Sequence, residues 1–217
     1  MVTGADTATL PSQFAEAYSA RWSELIDRWT EQPGVLLGTL GPAGTSSHLA
    51  AEFLAGRYGL TIELFPTFDD VLSALIAEKV EFALVPSAYR GLTRFHWHQD
   101  LRLQAFFPQA TPQYGIAARK QGELPAGTGP VTVAAMWEVR WIYAEIVPPA
   151  LREREVRWAD AASTQHAAEI LADGGADLAL TNAPGIDRHG LRWVADRPGA
   201  EIIWTLFGHA RDAAAGT

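Results

Sequence analysis

Short apolar segments alternate with helical patterns along most of this chain, and that alternation constrains its fold more than any other feature. Ten segments have the length and composition of strands: Val35–Leu40, Thr61–Leu64, Phe82–Pro86, Leu103–Phe107, Tyr114–Ala118, Val131–Ala135, Glu155–Trp158, Asp177–Thr181, Leu191–Val194 and Glu201–Leu206. Helical periodicity fills the gaps at Ser47–Tyr58, Phe68–Glu78, Trp137–Val147, Thr164–Asp173 and, briefly, Pro184–Arg188. The pattern predicts an α/β fold with a largely parallel sheet.

The composition excludes several classes of protein. The 217 residues suit one large domain or two small lobes, and no apolar run approaches the ~20 residues that span a membrane. The absence of cysteine excludes disulfides, thiolate catalysis and cysteine-based metal sites. Together with an N-terminus that has no secretory pattern, it predicts a cytoplasmic protein. A net charge of −8 argues against nucleic acid as a partner.

Residues 11–30 are predicted to form an amphipathic helix. Its apolar side chains recur at three- and four-residue spacing, at Phe14, Tyr18, Trp22, Leu25, Ile26 and Trp29. Two interpretations are open for this face. Either it packs on the body of its own subunit, or its large aromatic side chains form the contact of a homodimer.

A tight turn after the first strand predicts a binding site for a small anion. Gly41 and Gly44 permit positive φ and a close approach of the backbone. Thr45, Ser46 or Ser47 can cap the helix that follows, and the others can reach a ligand. Free backbone N–H groups at a helix start stabilise a carboxylate or a phosphate. The alternative is that the turn only caps the helix after the strand and binds no ligand.

Three more strand ends carry polar residues. These residues are Ser87, Tyr89 and Arg90; Ser163, Thr164 and Gln165; and Thr181 and Asn182. In an α/β chain such turns converge in a cleft, so we expect one site between two lobes. A loop rich in glycine and proline at 122–130 is typical of a boundary between lobes.

The histidines do not predict a metal site. His96 and His98 lie at i, i+2 and lack a third ligand at helical spacing. His48, in the first turn of the helix after the anion-binding turn, is the histidine that we expect in the cleft.

Three segments resemble motifs of prephenate dehydratases: Leu40–His48, Val85–Gly91 and Ser163–Ala168. The resemblance covers about residues 34–208. It implies the two-lobed fold of type 2 periplasmic binding proteins, with substrate between the lobes. The division it implies is an N-terminal helical extension at 1–33 and a catalytic region at 34–217. The lobes of that region then span approximately 34–110 with 195–210, and 111–194.

A narrower resemblance is to the prephenate decarboxylases of the bacilysin pathway type. It rests on six collinear segments: Leu40–Ser47, Val85–Gly91, Asp100–Gln104, Thr111–Gly115, Ala179–Asn182 and Trp204–Gly208. Dehydratases carry Thr-Arg-Phe near the end of the catalytic domain. Here Thr205 and Phe207 match that motif, but Leu206 replaces the arginine.

This resemblance implies a lyase that removes the ring carboxylate of prephenate, protonates a ring carbon and keeps the ring hydroxyl. Neither metal nor organic cofactor is expected, because the electrons flow into the ring diene. The proton donor stays open among Tyr89, Tyr114 and His48, and Thr205 is placed in the catalytic set. The substrate-binding set is Gly44, Thr45, Ser46, Ser47, Ser87, Arg90, Ser163, Thr164, Gln165, Thr181, Asn182 and Leu206. Leu206 is expected to be an apolar wall that favours loss of CO₂.

Two alternatives remain at this point. One is a prephenate dehydratase that forms phenylpyruvate, and the other is a small-anion binding protein without turnover. For the decarboxylase, the expected context is the first step toward a modified amino acid in antibiotic-like biosynthesis.

Overall fold

The computed structural model describes residues 9–210, so the parts of the predicted extension and catalytic region at 1–8 and 211–217 lie outside the described residues. All ten predicted strands are present, in two five-stranded sheets. Sheet A has the order β2-β1-β3-β10-β4. Its strands are β1 (Leu36–Leu40), β2 (Thr61–Phe65), β3 (Phe82–Pro86), β4 (Leu101–Ala110) and β10 (Glu201–His209). The mixed α/β class is therefore confirmed.

Sheet B repeats this arrangement with the order β7-β6-β8-β5-β9. Its strands are β5 (Tyr114–Arg119), β6 (Val131–Ala135), β7 (Val156–Asp160), β8 (Leu178–Asn182) and β9 (Leu191–Arg197). In each sheet four strands run in the same direction, and the fifth, β10 in sheet A and β5 in sheet B, runs opposite to its two neighbours. Most strands are therefore parallel, as predicted, but the chain forms two sheets instead of one. The chain leaves sheet A on β4 and returns on β10 through short connections, which makes these two strands run in opposite directions.

The helices match the predicted pattern, with two additions. They are α1 (Thr9–Glu31), α2 (Ser46–Tyr58), α3 (Phe68–Ile76), α4 (Thr93–His96), α5 (Arg140–Ile146), α6 (Pro149–Arg152), α7 (Thr164–Ala172) and α8 (Ala183–His189). A 3₁₀ turn, Trp137–Val139, precedes α5. The sequence pattern missed α4 and α6 because four residues are too few to show helical periodicity. No helix within residues 9–210 is long and apolar enough to cross a bilayer.

Helix α1 packs on its own subunit. Leu25 and Trp29 are buried in the core of sheet A, and burying side chains of this size stabilises the fold by ~1.5–3 kcal/mol each. The Tyr18 hydroxyl donates to the Phe106 carbonyl at 2.6 Å. Phe14, by contrast, is 71% exposed. The first interpretation of the amphipathic face therefore accounts for its C-terminal half.

Two short connections join the sheets, at 111–113 and 198–200. They are hydrogen-bonded to each other, since the Thr111 N–H donates to the Ala200 carbonyl at 2.9 Å. The loop at 122–130, predicted as a lobe boundary, instead links β5 to β6 inside sheet B. Glycine and proline mark that turn correctly, but they do not show that both flanking strands belong to one sheet.

Candidate active site

A cavity of about 230 Å³ lies between the two sheets. It is smaller than the ~300–1,000 Å³ of typical ligand pockets, so it suits a compact molecule. Its polar lining comprises Thr45, Ser46, Ser47, Tyr89, Thr111, Tyr114, Glu138, Ser163, Thr164 and Arg197. Its apolar lining comprises Leu40, Phe68, Pro86, Ala88, Met136, Val139, Ile142, Pro198, Ala200, Ile202 and Trp204.

The N-terminus of α2 opens onto this cavity. The Thr45 hydroxyl caps the helix by accepting from the His48 N–H at 3.1 Å, and it donates to the Leu40 carbonyl at 2.8 Å. This cap leaves the N–H groups of Ser46 and Ser47 without an intrahelical partner. The Ser47 hydroxyl has no hydrogen-bond partner within residues 9–210 and lines the cavity.

The N-terminus of α7 reaches the cavity from sheet B. Ser163 caps it by accepting from the His166 N–H at 3.1 Å, and Thr164 follows at the cavity wall. Neither α2 nor α7 has an acidic residue in its first turn. The positive ends of both helix dipoles are therefore available to an anion.

The other two helix starts near the cavity carry acids. Asp69 and Asp70 lie in the first turn of α3, and Glu138 lies in the 3₁₀ turn before α5. The Glu138 side chain is only 12% exposed, and its carboxylate lies 3.9 Å from the Arg90 guanidinium. Arg90 belongs to sheet A and Glu138 to sheet B, so this ion pair joins the two halves.

Two tyrosines line the cavity in contrasting surroundings. The Tyr89 hydroxyl donates to Asp69 at 3.3 Å, and burial, followed by the Asp69 charge, raises the pKa of Tyr89. The Tyr114 hydroxyl shares a short hydrogen bond with Ser46 at the start of α2. Burial raises the pKa of Tyr114, while the Ser46 hydrogen bond acts to lower it.

Arg197 provides the one guanidinium that lines the cavity among the residues the structure describes. It pairs with Tyr114 across the antiparallel strands β9 and β5, so both side chains lie on one face of sheet B. Glu145 forms an ion pair with the Arg197 guanidinium. A cation therefore lies beside the tyrosine that contacts the start of α2.

Gln165 and Asn182 form a clamp across the cleft and do not line the cavity. Both side-chain amides donate to the Gly44 carbonyl at 3.0 Å. Gln165 also donates to the Asn182 side-chain oxygen at 2.8 Å. Both residues are almost fully buried. Their predicted role as substrate contacts is corrected accordingly: they hold the anion-binding turn of sheet A against sheet B.

The predicted residues on β10 also lie outside the cavity. The Thr205 hydroxyl donates to the Val85 carbonyl at 2.6 Å. Leu206 is fully buried in the core of sheet A with Trp29, so it forms no wall of the site. Their neighbour Trp204 lines the cavity instead.

Four further predicted residues are displaced from the cavity. Thr181 is buried and donates to the Thr164 carbonyl at 2.8 Å, which supports α7 from behind. The His48 ring accepts from the Gly44 N–H at 3.3 Å and lies near Glu52. Ser87 is exposed. Arg90 is exposed too, and its guanidinium stacks on Trp137 at 5.2 Å.

The cavity therefore gathers seven of the sixteen predicted site residues: Thr45, Ser46, Ser47, Tyr89, Tyr114, Ser163 and Thr164. Sequence reasoning missed Glu138 and Arg197. Glu138 follows β6 without a motif, and Arg197 ends a strand whose predicted boundary was Val194. The only available signal was their place at the end of a strand.

The two sheets and the cavity between them define the class of the protein. A prephenate dehydratase from Arthrobacter aurescens, solved with L-Phe, superposes with a TM-score of 0.60 at 20% identity, over 81% of this chain and 60% of that one. A periplasmic domain of Bordetella pertussis BvgS superposes with a TM-score of 0.54 at 17% identity, over 88% and 86%. The fold is therefore that of prephenate dehydratases and periplasmic binding proteins.

Sequence comparison narrows this class. A prephenate decarboxylase of Planktothrix agardhii is 32% identical over 185 residues, which are 81% of this chain and 90% of the relative. The prephenate decarboxylase of Bacillus subtilis is 30% identical over 80% of this chain and 86% of the relative. The chain belongs to the prephenate decarboxylase family. A comparison with protein-family models finds no match.

Proposed function

We propose that this protein is a carboxy-lyase that decarboxylates prephenate without aromatising the ring and forms a dihydro-4-hydroxyphenylpyruvate. The observation that carries this proposal is the pair of acid-free helix starts, α2 and α7, at one cavity. Prephenate has two carboxylates, and each helix start stabilises an anion by ~0.3–2 kcal/mol. The hydroxyls of Ser47 and Thr164 and the Arg197 guanidinium supplement these two starts.

The reaction needs little from the protein beyond binding, orientation and one proton. The bond between the ring carbon and its carboxylate breaks, and CO₂ leaves. The electron pair of that bond forms a new double bond to the adjacent ring carbon, and the electrons of the neighbouring ring double bond take up a proton at its far carbon. Apolar side chains such as Met136, Val139 and Ile142 line the cavity. Apolar surroundings destabilise the charged carboxylate but not neutral CO₂, and this difference favours the forward reaction.

Thr205 supports decarboxylation over dehydration. Loss of the ring hydroxyl requires an acid that protonates it. Thr205 matches the threonine of the dehydratase motif, but its proton is donated to the Val85 carbonyl and its side chain lies outside the cavity. The ring hydroxyl therefore meets no donor from this position, which favours its retention.

Incubation of the purified protein with prephenate tests this function. We expect one CO₂ per prephenate consumed and a product without the strong alkaline absorbance of phenylpyruvate. Proton NMR of that product is expected to show ring protons of a non-aromatic diene. Rapid formation of phenylpyruvate would establish a dehydratase. Binding without release of CO₂ would establish a binding protein.

We also propose a division into lobes, a location and an oligomeric state for the protein. We infer two lobes, at about 34–110 with 195–210 and at 111–194, and the division into two sheets supports them except at 195–197, which belong to β9 of sheet B. A cytoplasmic location is supported by the lack of cysteine. A homodimer through α1 is supported by the exposed Phe14. Light scattering of wild type and Phe14→Ser tests the dimer, which should dissociate in the variant.

The proposed product suits the first step toward a modified amino acid. It keeps a 2-oxo acid side chain, which a transaminase converts to an amino acid, and a non-aromatic ring that retains its hydroxyl. Supplying the product mixture with an amino donor and a broad-specificity transaminase should yield a dihydrotyrosine-like amino acid, identifiable by mass.

A further inference from the structure

We propose that the Tyr114 hydroxyl delivers the proton to the ring carbon and that Ser46 positions it. This inference rests on the proposed function and names the one group that the reaction still requires. It selects among donors that sequence reasoning leaves open.

Few side chains at the cavity can act as the acid. Serine and threonine hydroxyls are too weakly acidic without an activating base. Among the lining residues that the structure describes, this leaves Tyr89, Tyr114 and Glu138. His48 is excluded as the proton donor because its ring faces the Gly44 N–H and lies outside the cavity.

The surroundings of Tyr89 oppose transfer of its proton. Its hydroxyl already donates to Asp69, and both Asp69 and Glu138 act on it as negative charges. A phenolate at this position would face two carboxylates, and Arg94, which pairs with Asp69, offsets them only in part. Glu138 is held as an acceptor, because its carboxylate faces the backbone N–H of Arg90 at 3.4 Å and the Arg90 guanidinium at 3.9 Å.

The surroundings of Tyr114 favour transfer more than those of Tyr89, because burial disfavours both phenolates but carboxylates act only on Tyr89. When Ser46 donates its hydroxyl proton to the Tyr114 oxygen, the Tyr114 proton is free to point into the cavity. The phenolate that then forms is stabilised by the Ser46 hydrogen bond and by the positive end of α2. Arg197, paired with Tyr114 across the strands, places a cation on the same face. Because its pKa is raised, Tyr114 stays protonated at neutral pH before each turnover.

This step is balanced in protons and electrons. The O–H bond of Tyr114 breaks as the new ring C–H bond forms, and the carbon–carbon bond to the carboxylate breaks as CO₂ leaves. Tyr114 becomes a phenolate, and water restores its proton after product release. No oxidant, reductant or further reactant is consumed.

The test compares Tyr114→Phe with wild type and with Tyr143→Phe, which changes a tyrosine outside the cavity. General acid catalysis contributes ~10²–10⁴-fold, so we expect kcat of Tyr114→Phe to fall at least ~100-fold with KM changed less than ~3-fold. Tyr143→Phe should keep wild-type kinetics. In D₂O, wild type should place deuterium on one face of one ring carbon, and Tyr114→Phe should lose that selectivity.

Ser46 provides a second and independent measurement. Removal of its hydrogen bond raises the pKa of Tyr114, so the alkaline limb of kcat should move to higher pH in Ser46→Ala and return in Ser46→Thr. The two Ser46 variants therefore test whether Tyr114 is the proton donor even if Tyr114→Phe folds poorly. A Tyr114→Phe enzyme that keeps more than a third of kcat and its facial selectivity overturns the inference, as does loss confined to Tyr89→Phe. Absence of CO₂ from wild type refutes the proposed function instead.

Discussion

Sheets A and B have the same arrangement of strands but differ in the helix starts that they present to the cleft. In sheet A, α2 follows the inner strand β1 and α3 follows the edge strand β2. In sheet B, the 3₁₀ turn with α5 follows the inner strand β6, and α7 follows the edge strand β7. Of these four helix starts, the acid-free ones are α2 and α7, so they occupy non-equivalent places in the two sheets.

This difference shows how one scaffold is made selective. A repeated β-α-β unit brings four helix starts to one cleft, and each can stabilise an anion. Asp69 and Asp70 already neutralise the start of α3, and Glu138 lies at the turn before α5. The side chains of the first turns, not the fold, therefore decide where the two carboxylates of a substrate are held.

Placing an acidic residue at the acid-free start of α7 should have the largest effect on activity. We expect Thr164→Asp to lower kcat/KM for prephenate at least ~100-fold, because the new carboxylate occupies the place of the anion. Because Thr164 is buried, the helix dipole offsets only part of the cost of burying the new charge, and the free energy of unfolding should fall by about 1–2 kcal/mol. Steady-state kinetics and urea denaturation measure the two effects. The neutral Thr164→Asn should lose only ~10-fold, and equal losses in both variants would contradict the charge argument.

Loss of the clamp between the sheets should have an intermediate effect. Gln165→Ala removes one of two amide donors to the Gly44 carbonyl, and we expect KM to rise ~10-fold with little change in kcat. Asn182→Ala should do the same and also lower the free energy of unfolding by ~1 kcal/mol, because the Asn182 side chain caps α8 through the Gly185 N–H. Kinetics with thermal denaturation separate the two. Unchanged KM in both variants would show that the clamp does not control binding.

Removing the acidic residue from the turn before α5 should have the opposite effect on substrate binding, and a smaller one. Glu138→Gln eliminates a negative charge at the cavity, so KM for the prephenate dianion should fall ~3-fold. Arg90 loses its partner as well, but it is exposed and should stay solvated. Glu153→Gln, at an exposed residue between α6 and β7, provides the matched control. A rise in KM would mean that the Glu138–Arg90 pair matters more for closing the cleft than for charge.

The smallest effect concerns alkaline stability. Burial raises the pKa of Tyr143 in α5, so its folded-state pKa lies above the unfolded value of about 10. The contribution of this group is fully present below pH ~10 and is lost as the pH rises through the folded pKa, by up to ~1.4 kcal/mol per pH unit. Urea denaturation from pH 8 to 11 should show a shallower decline in Tyr143→Phe. An identical decline would assign the alkaline loss to other groups.

Local features of the site could be predicted from the sequence. Thr45 and Ser163 cap helices through bonds to residues three positions later, so the hydroxyl-rich turns carry their own signal. The strands could also be predicted, because each is a short apolar run between turn residues. These local signals suffice to predict the two free helix starts.

Contacts between distant parts of the chain could not be predicted in this way. The clamp joins Gly44 to residues 121 and 138 positions away, and polar residues after a strand look alike whether they meet ligand or backbone. Thr205 and Leu206 were misplaced because the pairing of β10 between β3 and β4 decides which of its side chains reach the cleft.

Trp204 separates the cavity from α1. Its indole ring lines the cavity and also belongs to the core cluster that contains Leu25 and Trp29. Substitutions on the buried side of the first described helix can therefore shift one ring and reshape the space available to substrate without touching it. A laboratory selection for larger or smaller ring acids should accordingly recover changes in α1, a segment remote in sequence from every polar turn of the site.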